Sequence, residues 1–243
     1  MSRHPSPRHV PRRGVKSAMD WQRAIDAYCE RVGAAFWAEP VNALTNLAFI
    51  LAAIVGAAWL RRQERLDLAG VWLVGLVVAV GIGSFLFHTV ATLWALLADV
   101  IPITLFIVSF LVLTVRRFFR GPWWLALAVG AVFLPSANVL SGGIGRLVGD
   151  GLNGSEGYVP ALLALVVCGA WLRRRGHPGG TSLLVAAAIF TVSLTFRSID
   201  EAVCDAFPLG THFMWHLLNG LLLGWLLVSF VRFGQPQSRV SSA

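Results

Sequence analysis

Charge is scarce in this sequence: Asp, Glu, Lys and Arg make up 13% of 243 residues against 56% hydrophobic, and mean hydropathy is +0.70. That is too little polar surface to coat a water-soluble globule, so the solvent for most of the chain is lipid. No continuous polar stretch is long enough to form a separate soluble domain. The first eighteen residues are basic and contain Pro and Ser, but they lack the apolar centre of a cleaved signal peptide. Residues 1–18 therefore read as a disordered basic tail near anionic headgroups. Residues 19–41 read as an interfacial amphipathic and acidic segment, 42–232 as one membrane domain, and 233–243 as a flexible tail.

The formal charge of +8 does not point to nucleic acid, because the positive residues are nearly all Arg in short clusters between apolar runs. That is how membrane-flanking loops are built. A hydrocarbon core about 30 Å thick takes roughly 20 apolar residues per helix. Seven runs qualify: Asn42–Leu60, Ala69–Val90, Leu96–Val115, Pro122–Leu140, Tyr158–Leu172, Ser182–Arg197 and His212–Val231. The fold class expected is all-α, a seven-transmembrane helix bundle.

With an odd number of spans the termini lie on opposite faces. One face then carries Arg61, Arg62 and Arg65, then Arg116, Arg117 and Arg120, then Arg173 to Arg175, and finally Arg232. The other carries mainly Arg146 against Asp150, Glu156, Asp200, Glu201 and Asp205. By the positive-inside rule the Arg-rich face is cytoplasmic and the N-terminus is outside. Arg3, Arg8, Arg12, Arg13 and Lys16 sit on the outer side, but far from the first span, where the rule weakens. The preference for Arg over Lys suggests a GC-rich bacterial source and hence a plasma or inner membrane.

Ionisable side chains within spans are costly and therefore informative. They are His88, Asp99, Arg197, His212 and His216. His88, Asp99, His212 and His216 all fall on the outer face at similar depth. His212 and His216, four apart, share one side of a helix as a chelating pair, and Ser84 and His88 repeat that spacing. Three neutral imidazoles plus a water make the open tetrahedral site of a catalytic zinc. Asp99 is placed either to orient a histidine or to take a proton. Haem would need histidines on opposing sides of a macrocycle, and di-iron bundles need several core Glu residues, which this chain lacks. Ser84 has a second reading, as a small residue that lets helices approach closely. Arg197 and Asp200, one turn apart, read as an interfacial salt bridge. Cys168 falls within the fifth span as a small apolar residue. Cys29 and Cys204 share the outer face, where an oxidising compartment would permit a disulfide.

The ordered set Glu39-Pro40-Val41-Asn42-Ala43-Leu44-Thr45-Asn46, Ser84-x-x-x-His88, Asp99 and His212-x-x-x-His216 resembles the alkaline ceramidase family. That family sits in a larger group of seven-span membrane hydrolases, which includes progestin/adiponectin-type receptors and a GPI-lipid remodelling family. The likeness runs from about Tyr28 to Gly224. It implies Zn2+ held by His88, His212 and His216, with Ser84 and Asp99 catalytic, and hydrolysis of the ceramide amide to a sphingoid base and a fatty acid. It also implies Ca2+ in the acidic segment, for which Asp26, Glu30 and Glu39 are the available carboxylates. The chain departs from the family there, with Ala27 where the first Asp belongs and no Asn after Glu30. The same segment also reads as an amphipathic helix, with Trp21, Ala24, Ile25, Tyr28 and Val32 in one stripe. Two further functional readings stand beside ceramide hydrolysis: hydrolysis of another N-acyl or O-acyl lipid, and lipid sensing by a progestin/adiponectin-type receptor. The partners implied are a membrane lipid substrate and the bilayer, with no nucleic acid and no obligate protein partner.

Overall fold

Without water in the bilayer core, each backbone N–H and C=O must be satisfied within its own segment, so long apolar runs become helices. A computed structural model describes residues 20–63 and 66–234 and contains seven such helices. They are α1 Pro40–Arg61, α2 Leu68–Val90, α3 Leu93–Phe118, α4 Trp123–Val148, α5 Ser155–Arg174, α6 Pro178–Ile199 and α7 His212–Phe233. At 1.5 Å per residue they are roughly 30–39 Å long, enough to cross the hydrocarbon core. Among the described residues there is no strand, only an isolated bridge between Ala24 and Thr92. The expected basic tail, nearly all of the C-terminal tail and Arg65 lie outside the described residues.

The helices outrun their expected ends where local chemistry favours helix over loop. α4 continues from Leu140 to Val148 through Ser141-Gly142-Gly143. Each Gly there weakens the helix by about 1 kcal/mol relative to Ala, which is not enough to stop it. α6 starts at Pro178, four residues early, because the His177 side chain accepts a hydrogen bond from Gly179 N at 3.1 Å and Pro178 supplies a helix-ready first residue. α1 is interrupted at Asn46, whose side chain donates to the carbonyl of Asn42 at 2.8 Å.

α7 and α2 are the most buried helices and α4 the least. α7 packs between α1 and α6, α2 between α1 and α3, and α5 against α6. Gly220 permits the α1–α7 contact, since a Cβ there would lie 2.6 Å from Ala48 Cβ and 2.9 Å from the Ala48 carbonyl oxygen. The outward residues of α1, among them Leu47, Leu51 and Ile54, are exposed in the isolated chain and face lipid. On the Arg-rich face, Arg62 and Arg232 lie over Trp59, Arg116 over Trp123 and Arg175 over Trp171, at 5.3–5.7 Å. This interfacial belt of indole and guanidinium marks one membrane boundary.

On that same face Asp67 caps α2 by accepting from Ala69 N and Gly70 N, and Arg117 at the end of α3 grips it with two hydrogen bonds of 2.6 Å. Burial pushes the Asp67 carboxyl up, but the Arg117 bonds and charge outweigh it and hold the group below its ordinary value of 3.8. A depressed pKa contributes stability above the unfolded value, and that contribution is lost as pH falls through the folded value. Asp67→Asn is therefore expected to cost about 2 kcal/mol at pH 7. The penalty should shrink steadily below about pH 4. Thermal melts in detergent across that range check it; an equal penalty at pH 7 and in strong acid would assign the loss to packing alone.

The segment before α1 is not the amphipathic helix that its stripe suggests. Residues 20–39 form turns and extended backbone, tied to the α2–α3 turn by Ile25 N to Ala91 O at 2.8 Å and Leu93 N to Arg23 O at 3.0 Å. Trp21 and Val32 are exposed rather than sharing one buried face. Tertiary hydrogen bonds to a fixed turn here override the 3.6-residue pattern.

Candidate metal centre and active site

His88 ends α2 and His212 and His216 begin α7, so the two central helices bring the three imidazoles to one end of the bundle. Their ring centroids lie 4.6–5.1 Å apart, and each residue is no more than 2% exposed. Their ligand atoms all fall within 4.8 Å of one another, the one such group of His, Cys, Asp or Glu among the described residues. His212 Nδ1 and His216 Nε2 are buried and have no hydrogen-bond partner. Orphaned imidazole nitrogens in a dry interior are costly, and a metal ion that accepts their lone pairs would satisfy them.

The outer ring nitrogens are already held. His88 Nδ1 meets Glu39 Oε2 at 2.6 Å, and His216 Nδ1 meets Thr45 Oγ1 at 2.9 Å. Such partners fix the tautomer and aim the opposite nitrogen inward. Glu39 is buried, which pushes its carboxyl up, but the hydrogen bond and charge of His88, the Arg31 charge and the Asn42 bond hold it below its usual range. His212 is set by its backbone. Asp200 Oδ1 accepts from His212 N at 2.8 Å and Thr211 N at 2.6 Å, capping α7 from the end of α6. The Tyr28 ring stacks on His212 at a centroid distance of 3.5 Å, and burial holds its phenol above the ordinary value despite nearby Arg197.

Ser84 lies one turn before His88 and is buried. The Asp99 carboxylate faces it from α3, with Oδ1 buried and unpartnered by protein. Gly83 makes this meeting possible, since a Cβ there would stand 2.0 Å from the Ala98 carbonyl oxygen. Gly83 serves the close approach, and Ser84 presents its hydroxyl to Asp99.

An apolar chamber runs beside the cluster. Phe49, Phe106, Phe110, Phe190, Trp215 and Leu226 are among its walls. Phe49 and Trp215 also touch the triad rings, at 6.3 Å from His216 and 6.5 Å from His212 respectively. Cys168 lines the chamber as a small apolar group, as its place in the fifth span suggests.

Two expectations are corrected. Arg197 and Asp200 do not form a salt bridge. Arg197 instead donates to Asn153 O at 2.5 Å and Ser155 Oγ at 2.9 Å and lies over the Tyr158 and Trp215 rings, while Asp200 turns to the α7 N-terminus and to Cys29 N. Asp26, Glu30 and Glu39, the carboxylates expected to hold calcium, are not brought together as one converging group. Glu30 spends both oxygens on Val41 N and Asn42 N at 2.7 Å, Glu39 faces Arg31 and His88, and Asp26 is exposed. Cys29 and Cys204 are joined in a disulfide, Cα–Cα 5.3 Å, which ties the preface to the loop before α7.

Sequence reading missed Thr45, Tyr28 and Arg31, and it missed the role of Glu39 as the partner of His88. One signal was present: Glu39, Asn42, Thr45 and Asn46 recur at helical spacing, so polar groups line one side of an otherwise apolar helix start.

Comparison with curated proteins gives no match. The profile of the family described as Ceramidase matches residues 22–142, about half of the chain. That stretch holds Glu39, Ser84, His88 and Asp99, and the chain belongs to the ceramidase family.

Proposed function

We propose that this chain is a zinc-dependent amidohydrolase that cleaves the amide of ceramide, or of a closely similar N-acyl lipid, at the outer face of a membrane. The observation that carries the reading is the buried triad, its outer nitrogens held by Glu39 and Thr45, set beside Ser84 and Asp99 at an apolar chamber. The donor set of three imidazoles suits zinc, which when bound brings the pKa of water toward about 7 and polarises a carbonyl.

The residues divide the remaining work. The chamber receives a hydrocarbon chain and places the polar amide at the end of the bundle where the histidines lie. Asp99 accepts the proton of the attacking water and returns it to the departing amine, which avoids release of an unstable amide anion. Ser84 donates a hydrogen bond to the oxygen on which negative charge develops. Glu39 and Thr45 hold the imidazoles still, so no reorganisation is needed as the amide reacts. The products are a sphingoid base and a fatty acid.

The test is metal analysis of detergent-purified protein together with incubation on a fluorescent ceramide. Expected are close to one zinc per chain and fatty-acid release that stops on chelation and returns with zinc. Zinc without release from ceramide or other N-acyl lipids would replace the hydrolase reading with a lipid-sensing one. Protein free of metal and still active would remove the triad from the mechanism.

A further inference from the structure

Between the preface and the triad lies a cluster of oxygens that calls for a cation: the Glu39 carboxylate, the Gly33 carbonyl and the His88 carbonyl. The Arg31 guanidinium already fills it. Its Nε donates to Glu39 Oε1, its Nη2 to His88 O at 3.0 Å and its Nη1 to Gly33 O at 3.3 Å. The Arg31 side chain is 4% exposed and that of Glu39 3%. A planar fork that reaches three acceptors, two in the preface and one near the end of α2, matches a guanidinium better than a spherical ion. Calcium would need six to eight oxygens, and the remaining carboxylates are spent or distant, with Glu30 capping α1 and Asp26 exposed.

We propose that Arg31 is a built-in cation that locks the preface onto the metal centre, so that this chain needs no calcium. The covalent tether puts Arg31 in place permanently, where a dissociable ion would make the site depend on its concentration. Arg31 is a positioning residue: it acts on Glu39, which orients His88. This last step rests on the reading of His88 as a metal ligand, but the cation claim does not.

The experiment uses full-length protein in detergent, stripped of calcium with its zinc content restored, and reads melting temperature, calcium-binding heat and zinc retention. No substrate is involved, so failure here is separate from failure of the hydrolase reading. Wild type should bind no calcium and melt within about 1 °C with or without millimolar CaCl2. A calcium-dependent rise of several degrees would overturn the proposal, and this arm needs no variant. Arg31→Ala leaves buried Glu39 Oε1 without its cationic partner and should melt roughly 10 °C lower, with zinc affinity down roughly 10–100-fold. Methylguanidinium should recover part of both losses and calcium should recover neither, because three oxygens are too few for it. An Arg31→Ala protein that melts and holds zinc like wild type would equally overturn it. Arg31→Lys, which keeps the charge and loses the fork, should fall between the two.

Discussion

Replacing His216 with alanine is expected to empty the metal site and to lower hydrolysis by more than about 10³-fold, the scale of losing metal-assisted water activation. Two imidazoles 5.1 Å apart at their centroids would remain, with no third nitrogen to close the set. The metal-free protein should tell a different story. In it His216 Nε2 is a buried nitrogen without a partner, so its removal relieves an unsatisfied group while it opens a small cavity and frees Thr45 Oγ1. The melting temperature of the metal-free variant should therefore stay close to that of metal-free wild type, whereas zinc should stabilise wild type alone. Full metal content and activity in the variant would remove His216 from the ligand set.

The second large effect is expected at Asp99. Asparagine keeps the size and most of the contacts but cannot accept and return a proton, so turnover should fall about 10²–10⁴-fold with zinc retained. Retention is the discriminating readout, because Asp99 lies outside the group of nitrogens that converge on one another. Ser84→Ala should cost about 10²–10³-fold by removing one donor to the developing charge. The two losses should combine to less than their product, because Ser84 and Asp99 face each other within hydrogen-bonding reach. Normal turnover by Asp99→Asn would make the carboxylate structural.

The spans and the histidines were legible in the sequence for one reason: lipid punishes polarity, so hydropathy reports topology and each ionisable side chain in a span stands out. His88, His212 and His216 needed only the alternation of spans to be brought together. What depended on the path of the preface was hidden. Trp21, Ile25 and Val32 keep a helical stripe, yet backbone bonds to Ala91 and Leu93 hold this stretch extended. Glu39 reads as an acidic residue in an acidic segment until the fold sets it against His88 and Arg31. Arg197 and Asp200 are one turn apart and of opposite sign, the usual mark of a pair, but stronger local demands claimed each. The orphan N–H groups at the start of α7 drew the carboxylate, and the loop carbonyl of Asn153 drew the guanidinium. Spacing along one helix reports which side chains can meet and is silent about competitors from elsewhere.

The centrality of α7 bears on how the molecule is made. The most buried helix, and the one that carries two of the three histidines, is also the last of the seven spans to be synthesised. Until it arrives, the six earlier helices hold a gap lined by α1 and α6, and His88 stands without His212 and His216. In the activity proposed above, the triad is therefore complete only once α7 docks against Ala48 through Gly220. A chain stalled or truncated before this helix would carry one of the three clustered imidazoles, His88, and lack the other two.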